Sequence, residues 1–203
     1  MMMNKERCIP TATPTAGSFT SEFSTNIKAR YQLRDMYGIS YDKFIVSATE
    51  QKHNDNGFED FVGLATLLPD TMFLWIGNPA NSFRSSNRLN ALPENVILTG
   101  DMDDRSRTKY FSMSDVYISL SHEESLDPAI IDAVAAGLPL ILRDLKRYKY
   151  LYFYTYLKGR TISDFVLNIN LLKSNPNKKK LWQAKAHKLV DVYCGEARAF
   201  VVV

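Results

Sequence analysis

Five short apolar runs constrain this chain more than any other feature: "KFIVSAT" (43–49), "MFLWIG" (72–77), "NVILTG" (95–100), "DVYISLS" (115–121) and "LPLILRD" (138–144). They are β-rich and show little polar alternation, as expected of strands buried on both faces of a parallel sheet. Helical patterns separate them: "GFEDFVGLATLLP" follows the first run, "DDRSRTKYFSM" the third and "PAIIDAVAAG" the fourth. This alternation predicts an α/β fold built on a doubly wound parallel sheet. A further helix is expected at "NIKARYQLRDMYG" (26–38), and two more around 162–173 and 176–193. Residues 1–25 are rich in Thr, Ser, Pro and Ala without an apolar period, so they read as a flexible linker or tail ahead of one domain over 26–203.

Composition narrows the function. A chain of 203 residues with 45% hydrophobic content can bury a sizeable core, and a formal charge of +3 is too mild for a nucleic-acid partner. Cys8 and Cys194 lie far apart without metal-type spacing, which argues against a disulfide framework or a zinc site and fits a reducing cytosol. No apolar stretch approaches the ~18 residues of a membrane span, and the start of the chain has no signal-type hydrophobic region. A soluble, cytoplasmic protein is expected.

In an open α/β sheet, ligands sit beyond the carboxyl ends of the strands. The residues to weigh therefore follow Thr49, Gly77, Gly100 and Ser121. After the last of these, "HEESLDPAIIDAVAAGLP" (122–139) places Glu124 and Asp132 either side of seven residues. A helix N-terminus there can hold phosphate, while one acid grips sugar hydroxyls and the other, about two turns on, reaches a ribose. Spacing alone favours a plainer alternative, in which Asp127 caps the helix, Pro128 is its first residue and Asp132 is solvated.

The surrounding residues shift that balance. "YFSMSDVYISLSHEESLDPAIIDAVAAGLPLILRD" resembles the signature of the retaining family-4 glycosyltransferases of GT-B fold, with Asp115, Ser121, Glu124, Asp132, Ala133, Ala136, Gly137 and Pro139 in place. "DFVGLATLLPDTMFLWIG" and "LPENVILTGDM" resemble the same family, in particular its branch that glucosylates bacterial diacylglycerol. The likeness spans about residues 43–144, the nucleotide-sugar-binding half. It implies one Rossmann-like lobe with extra C-terminal helices, and an acceptor-binding lobe supplied by another chain. It also implies transfer of a hexose, foremost glucose from UDP-glucose, to a lipid or glycan acceptor with retention. By this resemblance Glu124 is catalytic and holds the donor sugar, Asp132 the ribose, the Ser125 and Leu126 amides the diphosphate, Lys52 its charge, and Gly100, Asp101 and Met102 the base. No metal or other cofactor is implied, since the nucleotide sugar is itself the substrate.

Several positions depart from the family pattern. Asp132 stands where the family has Glu, one methylene shorter. Asp127 replaces a usual glycine, and Pro128 has no N–H, so only the amides of Ser125, Leu126, Ala129 and Ile130 are left for an anion. The Arg and Lys that neutralise the leaving diphosphate in the family fall near Asp55 and at Asn56, leaving Lys52 as the local cation. His53 reads as a loop surface residue and His122 as structural. These departures support an alternative reading, a non-catalytic lobe that scaffolds or regulates a partner glycosyltransferase.

Two further stretches have two readings each. "RYKYLYFYTYLKGR" sets Tyr148, Tyr150, Tyr152, Tyr154 and Tyr156 on one face if extended. Peripheral membrane contact is one reading; a sixth strand or irregular segment packed against the C-terminal helices is the favoured one. "NPNKKKLWQAKAHKLVDVY" is a basic helix expected to turn Leu181, Ala184, Leu189 and Val192 to the core.

Overall fold

The computed structural model describes residues 19–49, 57–79, 92–101, 104–122, 128–146, 148 and 155–199, with the side chains of all but 19–26, 104–105 and 190–199. Six strands form one parallel sheet: β1 (Ile45–Thr49), β2 (Met72–Ile76), β3 (Val96–Leu98), β4 (Val116–Ser119), β5 (Leu140–Arg143) and β6 (Leu157–Gly159). Their order is β3-β2-β1-β4-β5-β6, that of a doubly wound nucleotide-binding sheet. Each of the five apolar runs holds one strand, and the tyrosine-rich stretch ends in the sixth. Partner pairs such as Val46–Val116 and Tyr117–Leu140 fix the register across the middle of the sheet.

The unbroken hydrophobicity of the runs has a direct cause. Along β2, Phe73 and Trp75 enter one core while Leu74 and Ile76 enter the other. Val116 and Ile118 of β4 likewise oppose Tyr117. Both faces are covered, so neither parity of a strand is given over to polar residues.

One face packs against α2 (Phe58–Leu67) and α5 (Ile162–Ser174), through Phe58, Phe61, Phe165 and Ile169 among others. The other packs against α1 (Phe19–Met36), α3 (Asp104–Met113), α4 (Pro128–Ala135) and α6 (Pro176–Ala199). Tyr148 and Tyr156 are buried in this second core, which takes both away from any lipid surface. Tyr150, Tyr152 and Tyr154 lie outside the described residues, as do residues 1–18 of the expected tail.

Two helices differ from expectation. α1 begins at Phe19, ahead of Asn26, and among its described side chains the most deeply buried is Arg34. α6 turns Ala186 and Leu189 inward with Trp182 half-buried, whereas Leu181 is 46% exposed and Ala184 is also exposed. The apolar residues of α6 allow two helical phases. Lys179 chooses between them by reaching Asp115, and Trp182 by packing on the α2/α5 core.

Asp115, at the head of β4, gathers the amino edge of the sheet. It accepts from Arg30 and Arg34 at 3.0 Å each, from Lys179, and from the Ile45 amide at 2.9 Å. Arg34 also donates to the carbonyls of Ser40, Tyr41, Lys43 and Met113.

Candidate functional site

The carboxyl edge of the sheet has one topological switch point. From β1 the chain passes to α2 on one face, and from the neighbouring β4 to α4 on the other, the arrangement beside which open α/β sheets take their ligands. Gly57 precedes α2 at this edge. Its φ of 75° is left-handed, and a β-carbon there would come within 2.7 Å of the Leu120 carbonyl carbon. Only glycine fits at this contact between the start of α2 and Leu120, just past β4. Thr49 Oγ1 and the Tyr117 hydroxyl are 2.7 Å apart beneath it.

Arg143, at the tip of β5, fastens this edge. It is almost fully buried; its Nε donates to the Leu120 carbonyl at 2.8 Å and its Nη2 to the Asp60 carboxylate in the first turn of α2. Asp60 Oδ2 also stands 3.7 Å from His122 Nε2. An ionised pair is thus built around a backbone carbonyl of the strand-tip segment, where a charged donor makes a stronger bond than a neutral one.

On the other side, the tips of β2 and β3 are tied together. Gly77 and Gly100 form an antiparallel bridge, the Gly77 amide donates to Thr99 Oγ1 at 3.1 Å, and Asn78 donates to Asp101 at 3.1 Å. Gly100 has a φ of 74°, and a β-carbon there would meet nothing within 4 Å. It faces open space. Asp101 is exposed beside it.

Between α3 and α4 a third link appears. Arg107, in the first turn of α3, donates from Nη2 to Asp132 Oδ2 at 3.0 Å. Asp132 sits one turn into α4 (Pro128–Ala135). Its side chain is therefore held toward α3 and is not a freely solvated carboxylate.

Of the residues expected to bind the donor, Gly100, Asp101 and Asp132 are on described elements at this edge. Lys52, Met102, Glu124, Ser125 and Leu126 lie outside the described residues, as do His53, Asp55, Asn56 and Asp127. Sequence reasoning missed Arg107 and the Arg143–Asp60 pair. Neither pair has a local spacing that would reveal it, because each joins elements distant in the chain. Among the described residues, no group of three or more His, Cys, Asp or Glu could hold a metal ion, and no helix is long and apolar enough to cross a membrane.

Residues 44–151, more than half of the chain, match the family model "Glycosyl transferases group 1". The chain is 27% identical over 124 residues to the alpha-galactosylglucosyldiacylglycerol synthase of Streptococcus pneumoniae, covering 58% of this chain and 33% of that enzyme. It is 30% identical over 95 residues to the processive diacylglycerol alpha-glucosyltransferase of Acholeplasma laidlawii, covering 45% and 29%. It thus spans about a third of the length of these curated relatives. Among solved structures, Anabaena Alr3699/HepE in complex with UDP-glucose superposes with a TM-score of 0.69 at 14% identity, over 87% of this chain and 53% of that one. That likeness concerns the fold.

Proposed function

The chain belongs to the group 1 glycosyl transferases, and from that premise we propose that it is the donor-binding lobe of a hexosyltransferase. It takes glucose from UDP-glucose and transfers it, with retention, to a diacylglycerol-type lipid. The observation that carries this reading is the switch point between β1 and β4, the place where open α/β sheets take their ligands, with Gly57 packed closely on Leu120 at the strand tips. The printed activities of the two curated relatives support the acceptor class, and the HepE complex supports the donor.

In this reading Glu124 holds the donor hexose, Asp132 the ribose and Gly100, Asp101 and Met102 the base. The Ser125 and Leu126 amides and Lys52 take the diphosphate. As the bond from the anomeric carbon to the diphosphate breaks, negative charge grows on the leaving oxygen. Amides and a cation already in place lower that barrier without reorganising. The acceptor comes from a second lobe, and the complex works at the cytoplasmic face of the membrane. The test is reconstitution: the chain, a cognate acceptor lobe and diacylglycerol vesicles are incubated with radiolabelled UDP-glucose. An α-linked glucolipid is expected; a β-linked product would contradict retention, and a product from the acceptor lobe alone would remove this chain from the reaction.

A second reading, a non-catalytic lobe that scaffolds a partner transferase, is favoured by α4 opening on Pro128, which has no N–H to offer a phosphate. Binding of the partner lobe without nucleotide binding would support it.

A further inference from the structure

The link between Arg107 and Asp132 has no explanation in either helix alone. The residues sit on different helices, so the pair is not the three- or four-residue spacing that staples a single helix. Arg107 is moreover in the first turn of α3, where the positive end of the helix dipole disfavours a cation. Its placement costs α3 stability and must be offset elsewhere. Both side chains are partly sheltered, 20% and 38% exposed, where α3 and α4 meet.

Resting on the proposed donor-binding role of Asp132, we infer that Arg107 is a positioning residue that holds the Asp132 carboxylate for a ribose diol and so sets selectivity for ribose over 2′-deoxyribose. An aspartate reaches one methylene less far than a glutamate, so it must be aimed. The short side chain has several rotamers, and a charge-assisted bond from a planar guanidinium selects one of them. Arg107 does not touch the nucleotide in this account. It acts through the carboxylate.

The experiment is calorimetric titration of the full chain with UDP and with 2′-deoxy-UDP. The wild type is expected to prefer UDP by roughly tenfold, the scale of one hydrogen bond to a charged group. Arg107→Gln should bring the two affinities together, chiefly by weakening UDP. Asp132→Asn should do the same, and the double variant should lose no more than either single one. Arg107→Lys should recover part of the preference, and it serves as the test if Arg107→Gln does not fold. Equal weakening of both ligands by Arg107→Gln, or an unchanged preference, overturns the inference while the donor-binding reading stands. Absence of UDP binding by the wild type defeats that reading first, and this one with it.

Discussion

Arg34 delivers its fully buried guanidinium to Asp115 at 3.0 Å, on the amino edge of the sheet, away from the candidate site. The residue that resembles the leading aspartate of the family signature is therefore structural. It joins α1, α6 and the amino ends of β1 and β4 into one body. Removing Asp115 leaves Arg34 buried without its counter-charge, and uncompensated buried charges cost about 3–5 kcal/mol. Urea unfolding of Asp115→Ala should show a loss on that scale. Replacing both residues by Leu and Met should lose no less than Asp115→Ala, because the carbonyls of Ser40, Tyr41, Lys43 and Met113 and the Ile45 amide then lose their side-chain partners.

The same carboxylate makes stability depend on pH. Burial alone would raise its pKa, but Lys179 and Arg30 more than reverse this, and it lies below the ordinary aspartate value. A depressed folded-state pKa means that the unfolded chain binds the proton first. The stabilisation is therefore complete above the unfolded value of about 3.9 and is lost as pH falls below it toward the folded value. Thermal midpoints should drop through that acid window in the wild type, and less steeply in Asp115→Asn.

Gly57 should tolerate no side chain. Alanine there meets both a left-handed backbone and the Leu120 carbonyl carbon at 2.7 Å. Strain and overpacking together should cost at least about 2 kcal/mol. Gly100→Ala, also at positive φ but facing open space, should cost less. Denaturant titration of the two variants compares them directly.

The sheet was legible in the sequence because strands buried on both faces are mostly apolar at successive positions, as Ile45, Val46 and Phe73 to Ile76 are, with Ser47, Thr49 and Ser119 as small buried polar exceptions. β6 is only three residues long, and the tyrosine run before it masks its start. The site was half legible. Glycines at strand tips and Asp132 announce themselves by position, whereas Arg107 and Arg143 acquire meaning only when the sheet brings their partners near. Arg143 closes the run "LPLILRD" with nothing nearby in the sequence to mark its role, yet it is a buried clamp on Leu120.

The phase of α6 offers a simple check on packing. Leu189 is fully buried and Leu181 is 46% exposed. Leu189→Ala should cost about 2–5 kcal/mol, and Leu181→Ala no more than ~0.5 kcal/mol. Equal losses would restore the register that the sequence pattern first suggests.

The central claim, that the carboxyl edge of this sheet is a nucleotide-sugar site, is tested most directly by titrating the folded chain with UDP-glucose by calorimetry and amide chemical shifts. Saturable binding is predicted, weakened by Glu124→Ala and by Asp132→Asn but unaffected by His53→Ala. No heat and no shift change with millimolar UDP, UDP-glucose or UDP-N-acetylglucosamine would contradict it.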